Sequence, residues 1–185
     1  MTKDKIKKLD FDTVALSDDG RALVIIDQTL LPGEMKFIRL SEQRDIREAI
    51  YRLQVRGAPA IGVAAAIGIY LAALEISENV SEEDTFFEKL SEAKIYLQEA
   101  RPTAVNLRWA LDRMYDFALS KKGLGPEVIA AQMKSEALAI RDEDIEVCRK
   151  IGEHGLRLLK RGQGILTHCN AGHLACVRYG TATAP

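Results

Sequence analysis

The chain has 185 residues, 47% of them hydrophobic and 29% charged, with a formal net charge of −1. That balance suits a soluble globular protein and offers no electrostatic footprint for nucleic acid or an anionic membrane. Three cysteines leave one unpaired in any disulfide scheme, and the opening MTKDKIKKLD is basic and polar with no apolar signal core. A protein of the reducing cytoplasm is the expectation.

Short strands come first. FDTVAL (11–16) meets a turn at SDDG (17–20), and ALVIIDQ (22–28) follows; Asp19-Gly20 between two β-rich runs is a hairpin signal. LPGE (31–34) turns again, and MKFIRL (35–40) alternates as a strand does. Ser41 is then placed to cap a helix whose apolar stripe is Ile46, Ile50 and Leu53.

RGAP (56–59) breaks that helix and starts another. From Gly57 to Leu74 there is no charge for 18 residues, which is near the lower limit for a membrane span. The run is rich in Ala and Gly and stands alone, so it reads as a helix buried on all sides, with Gly62 and Gly68 admitting neighbouring helices closely. Ser81 to Asp84 has a capping-box pattern for a helix running to about Ala100. Arg101-Pro102-Thr103 interrupts, and Ala104 to Leu119 is helical. Gly125-Pro126-Glu127 puts proline at a first helical position, and the periodicity continues to about Leu159 with a break possible at Gly152 or Gly155.

RGQG (161–164) reads as a linker, ILTH (165–168) as a buried strand, NAG (170–172) as a turn, and HLACVRYGTATAP as the start of a helix. Strand, turn, helix is how a βαβ unit opens, yet a lone parallel strand is unstable. Either it joins the N-terminal strands or its sheet lies beyond residue 185.

Cys169 falls after that strand and just before the expected helix, where N–H groups and the positive helix end favour a thiolate. The competing reading is a buried structural sulfur, because free cysteines are among the most buried residues. His168, Cys169, His173 and Cys176 do not match a zinc spacing, and no metal is assigned. Arg56-Gly57-Ala58 and Arg101-Pro102-Thr103 share a form: a basic residue at a break, then a helix start. Guanidinium and free helix N–H groups together suit a phosphate. Asn106 and Trp109 follow within two turns and could line the same pocket. Cys148, inside the last long helix, is given packing alone.

RGAPAIGVAAAIGIYLAA (56–73), RPTAVNLRWALDRM (101–114), ILTHCNAG (165–172) and YGTATAP (179–185) resemble, in order, the S-methyl-5-thioribose-1-phosphate isomerases. Ribose-1,5-bisphosphate isomerases and the regulatory subunits of initiation factor 2B are relatives of that family. The resemblance implies an α+β/α/β fold class. A mostly helical N-terminal domain with a small β portion (1–160) is followed by the truncated start of a Rossmann-like domain (161–185). It implies an N-terminal fragment of a methionine-salvage enzyme, with no cofactor, a small phosphosugar as substrate, no nucleic acid or membrane partner, and a homodimer.

The implied reaction converts an aldose 1-phosphate into a ketose 1-phosphate. Cys169 is implied as one catalytic residue, with Arg56, Gly57, Ala58 and Arg101 holding the substrate. An aspartate implied as the second catalytic group matches no position in 1–185, so the 185 residues alone are expected to be inactive. The stretch after THCNAG departs from the family: His173, Cys176, Val177 and Arg178 stand where small residues, LAT and often a glycine are usual. An imidazolium at His173 would lower the thiol pKa or alter the substrate. Isomerisation of 5-deoxyribose 1-phosphate or ribose 1,5-bisphosphate therefore stays open. A non-catalytic regulatory subunit is the further alternative, although a scaffold needs no thiol at that place.

Overall fold

The computed structural model describes residues 11–185. The basic opening, residues 1–10, lies outside the described residues. Among these, three short strands form one antiparallel sheet in the order β1-β2-β3: β1 is Val14–Leu16, β2 is Leu23–Ile26 and β3 is Phe37–Leu40. The register pairs Val14 with Ile25 and Val24 with Arg39. The expected hairpin is present. Its turn is closed by the Gly20 amide donating to the Ser17 carbonyl at 2.8 Å. Gly20 has φ +71°, which the glycine permits without a Cβ penalty. Ser17, the Arg21 amide and Arg39 all donate to the exposed Asp19 carboxylate, holding its pKa down at about 2.

Five α-helices follow: α1 (Gln43–Tyr51), α2 (Ala58–Asn79), α3 (Glu83–Gln98), α4 (Val105–Leu119) and α5 (Pro126–Leu156). The apolar run forms the axis of the molecule. Every residue from Ala60 to Ala73 is buried, because α1, α3, α4, α5 and β1 all pack around α2. The helix is long and apolar enough to cross a membrane, yet 83% of its apolar window is covered by the protein itself. Extracting it would uncover the facing sides of its neighbours, at about 1.5–3 kcal/mol for each large apolar side chain exposed. The two glycines act as expected. A Cβ at Gly62 would lie 3.2 Å from the Asn106 carbonyl oxygen on α4, and one at Gly68 would lie 3.1 Å from Ile46 of α1 and 3.4 Å from Leu97 of α3.

Both serine caps are corrected by one residue. Glu42, not Ser41, precedes α1, and it makes no side-chain cap. Glu82, not Ser81, caps α3, accepting from the Asp84 and Thr85 amides at 3.1 and 2.6 Å. A full carboxylate charge at the positive helix end replaces the expected hydroxyl. Leu53 falls outside α1, at φ +62°. Proline opens α5 as expected, after Gly125 at φ +84°. No break occurs at Gly152 or Gly155: α5 runs through both and ends at Leu156. The glycines instead admit the 184–185 segment, with a Cβ at Gly152 meeting the Ala184 carbonyl oxygen at 2.8 Å.

The segment 161–185 differs most from expectation. Residues 165–168 form no strand and are exposed, Leu166 almost completely. No α-helix follows the NAG turn; a single 3-10 turn spans His173–Ala175. A strand needs an edge to pair with. The three-stranded sheet binds this region elsewhere, through the Thr13 amide donating to the Val177 carbonyl at 3.1 Å. Residues 175–177 are buried against the helical core, while 165–170 stay outside it.

Candidate functional site

Two helix starts converge on one cleft. Gly57 precedes α2 with φ +111° and ψ +134°, and Ala104 precedes α4; neither helix has a side-chain N-cap. Their first amide groups therefore lack side-chain partners and present a positive end. Arg56 stands beside the first start and Arg101 beside the second, its carbonyl accepting from the Ala104 amide at 3.0 Å. Both arginines line a cleft of about 510 Å³, together with Gly57, Ala58, Asn106 and Cys169. All five residues singled out in the sequence, namely Arg56, Gly57, Ala58, Arg101 and Cys169, thus meet in one place. Two guanidinium groups and two uncapped helix starts are the chemistry that suits an anion.

Cys169 is exposed and adopts the left-handed conformation, φ +63°. It is the one thiol among the residues lining the cleft. The expected helix end behind it is absent, and so is the expected histidine. His173 turns away from the cleft: its Nε2 lies 3.0 Å from the Phe11 carbonyl oxygen and its ring packs 5.0 Å from the Phe11 ring. Trp109 is also displaced. It lies in a separate hollow on the outer side of α4 with Arg108 and Asp112, its ring held under Arg113 at 5.6 Å, whereas Asn106 does reach the cleft.

Gly57 lines the cleft and is packed against the 173–175 segment. Ala175 packs directly on it, so that a Cβ at position 57 would lie 2.5 Å from the Ala175 carbonyl oxygen and 2.7 Å from the Ala175 Cβ. Gln28, which the sequence reading passed over, ties the same parts together. Its side chain donates to the Leu174 carbonyl at 2.8 Å and reaches the Arg56 carbonyl at 3.4 Å, and its amide donates to the Gln54 carbonyl at 2.9 Å. Gln54 in turn donates to Asp27 at 2.7 Å. A lone glutamine after a strand carries no pattern that announces this role.

The other two thiols are buried. Cys148 on α5 and Cys176 are each 1% exposed. Burial first, and the neighbouring Asp144 charge second, push both thiols above the usual range. A thiol-directed alkylating reagent is therefore expected to label Cys169 at least about tenfold faster than Cys148 or Cys176 in the folded protein. Peptide mapping after a timed reaction checks this, and faster labelling of Cys148 would refute it.

The model of the initiation factor 2 subunit family matches residues 54–182, which hold both arginines and the thiol. The chain belongs to the initiation factor 2 subunit family. Within the family it is 53% identical over 174 residues to the methylthioribose-1-phosphate isomerase of Symbiobacterium thermophilum, covering 94% of this chain and 48% of that protein. It is 48% identical over 172 residues to the 5-deoxyribose 1-phosphate isomerase of Clostridium botulinum strain Loch Maree, covering 91% and 48%. Among solved structures it is similar to the 5-methylthioribose 1-phosphate isomerase of Pyrococcus horikoshii, with a TM-score of 0.88, 38% identity and coverage of 100% of this chain and 50% of that one. The delta subunit of initiation factor eIF-2B from A. fulgidus aligns with a TM-score of 0.80 at 39% identity, covering 92% and 48%. The chain spans about half the length of the family members it matches. These likenesses agree with the helical domain and small sheet described above.

Proposed function

We propose that the protein carrying this chain is an aldose–ketose isomerase that converts S-methyl-5-thioribose 1-phosphate to S-methyl-5-thioribulose 1-phosphate in methionine salvage. The observation that supports this most is the cleft itself: Arg56, Arg101 and two uncapped helix starts line it together with the thiol of Cys169. The names of the similar proteins point the same way.

The chemistry needs these parts. A phosphate on the anomeric oxygen blocks free ring opening, so an acid must protonate the departing ring oxygen. A hydrogen then passes from C2 to C1. The anion site would hold the phosphate and fix C1 and C2 near the thiol, turning a collision into a local event. The 185 residues provide the anion site and the thiol, while the aspartate implied by the family resemblance has no counterpart among them. The reading further implies a cytoplasmic homodimer and takes residues 161–185 as the opening of a Rossmann-like domain. A 5-deoxyribose 1-phosphate substrate is the second reading, because several relatives at 48% identity carry that name. The two sugars share the 1-phosphate and differ in the substituent at C5.

The deciding experiment measures kcat/KM of the complete protein on both sugars, with higher efficiency expected on the methylthio sugar. No turnover of either would overturn the proposal. Arg56→Ala removes a charge-assisted phosphate contact of about 1.5–3 kcal/mol and is expected to raise KM about 10- to 150-fold with a smaller change in kcat. An unchanged KM would remove Arg56 from the phosphate site.

A further inference from the structure

Asp144, Cys148 and Cys176 form a cluster that the cleft chemistry does not use. Asp144 and Cys148 are four residues apart on α5, which puts both on one face of the helix. Cys176 approaches from the segment behind the cleft. The carboxylate oxygen and the two sulfurs all lie within 4.8 Å of one another. Both thiols are almost fully buried.

The carboxylate is the unusual member. Its partner is a backbone amide, with Val177 N–H donating to Oδ2 at 2.7 Å. No ion pair to Asp144 is formed among the described residues, and it stands partly exposed beside the two buried thiols. A carboxylate partly withdrawn from water with no cation beside it bears a desolvation cost. Ordinary packing does not call for an acid beside two thiols, whereas a divalent cation would give all three donors a common partner, leaving a net charge of −1 once both thiols are deprotonated. Sulfur donors select a soft or borderline ion over calcium or magnesium.

We propose that Asp144, Cys148 and Cys176 bind one zinc-like divalent cation that clamps α5 to the segment behind the cleft. In a tetrahedral zinc site with Zn–S of about 2.3 Å and Zn–O of about 2.1 Å, the ligand atoms stand about 3.6–3.8 Å apart. Convergence of at most about 1 Å from the observed limit would close the site. The fourth position falls to solvent or to the second carboxylate oxygen. Metal binding replaces the two thiol protons, which leave to solvent, and involves no redox change. The clamp holds Cys176 one residue from Ala175, the residue packed on Gly57 at the cleft. The cation would thus act on the site through position, remote from the substrate.

The test uses the purified protein, stripped of metal and kept reduced. Equilibrium dialysis against zinc followed by elemental analysis is expected to give about one zinc per chain, with a rise in melting temperature. Cobalt(II) is expected to give tetrahedral d–d bands and a thiolate charge-transfer band. Cys148→Ala, Cys176→Ala and Asp144→Asn are each expected to lose at least about tenfold in affinity, and Cys169→Ser to retain it. The cobalt spectrum of the unaltered protein keeps the proposal testable should the core variants fail to fold. No stoichiometric zinc and no tetrahedral cobalt spectrum in the reduced protein would overturn it. So would loss of binding in Cys169→Ser, which would place the metal at the exposed thiol. A Cys148–Cys176 disulfide in place of metal, seen as a mass two hydrogens lower in protein purified without reductant, would also overturn it.

Discussion

Cys169→Ser is expected to reduce kcat of the complete protein by about 10²–10⁴-fold, the contribution usual for a positioned acid–base group. The substitution changes one atom in an exposed position, so it leaves no cavity in the core. The hydroxyl is a far weaker acid than the thiol and cannot exchange a proton readily at neutral pH. The anion site is untouched, since Arg56, Arg101 and the starts of α2 and α4 lie on other segments. Binding of methylthioribose 1-phosphate, measured by calorimetry, is therefore expected to stay within about threefold of the unaltered protein, a difference of under about 0.7 kcal/mol. Retained turnover in the serine variant would remove Cys169 from the chemistry. Lost binding with normal turnover would overturn the assignment of the cleft.

Gly57→Ala is expected to be the more disruptive change, although it adds a single carbon. Two costs add at this position. The backbone at φ +111° and ψ +134° is a conformation that side chains rarely adopt, worth about 1–3 kcal/mol of strain. The new Cβ would also lie 2.5 Å from the Ala175 carbonyl oxygen, which is backbone and cannot swing aside. Overpacking of this kind costs about 1–3 kcal/mol. Together they correspond to a melting temperature lower by about 5–20 °C for a chain of this size. The Ala175 segment can also yield by lifting, which spares stability but displaces Cys169 from the arginines. The two responses are separated by measuring thermal unfolding and kcat/KM on the same variant. A variant equal to the unaltered protein in both would refute the close approach.

The site was legible because its chemistry is local. Arg56-Gly57-Ala58 and Arg101-Pro102-Thr103 each carry, within three residues, a cation and a break that starts a helix. The hairpin was legible for the same reason, as was the start of α5 at Pro126. The serine caps were not. Glu82 competes with Ser81 through its charge at the helix end, and no residue pattern weighs a carboxylate one position later against a hydroxyl. His173 was read as a neighbour of the thiol because it is near in sequence. It was placed elsewhere by a contact with Phe11, 162 residues away. Trp109 stacks under Arg113 four residues on, on the same face of α4, and so lies outside the cleft that Asn106 reaches.

The last segment shows the limit most clearly. ILTH is apolar and β-branched enough to be a strand, but a strand is an agreement between two stretches of chain. Residues 165–168 pair with no strand among the described residues and are exposed. Cys148 and Cys176 stayed hidden for a related reason. Two of the three members, Asp144 and Cys148, are visible as an i, i+4 pair on one helix, while Cys176 is brought to them only by tertiary packing.

By itself, the sequence determined the hydrophobic axis at α2, the helix order, the hairpin and which residues carry the cations and the thiol of the candidate site. Those properties depend on side-chain chemistry and on spacings of a few residues, where the chain cannot choose otherwise. The tertiary structure decided which of those residues share one cleft, that His173 and Trp109 do not, and that two cysteines and an aspartate meet in the interior. Such choices depend on contacts between segments more than a hundred residues apart in some cases, whose geometry follows from how α2 gathers every other helix around it.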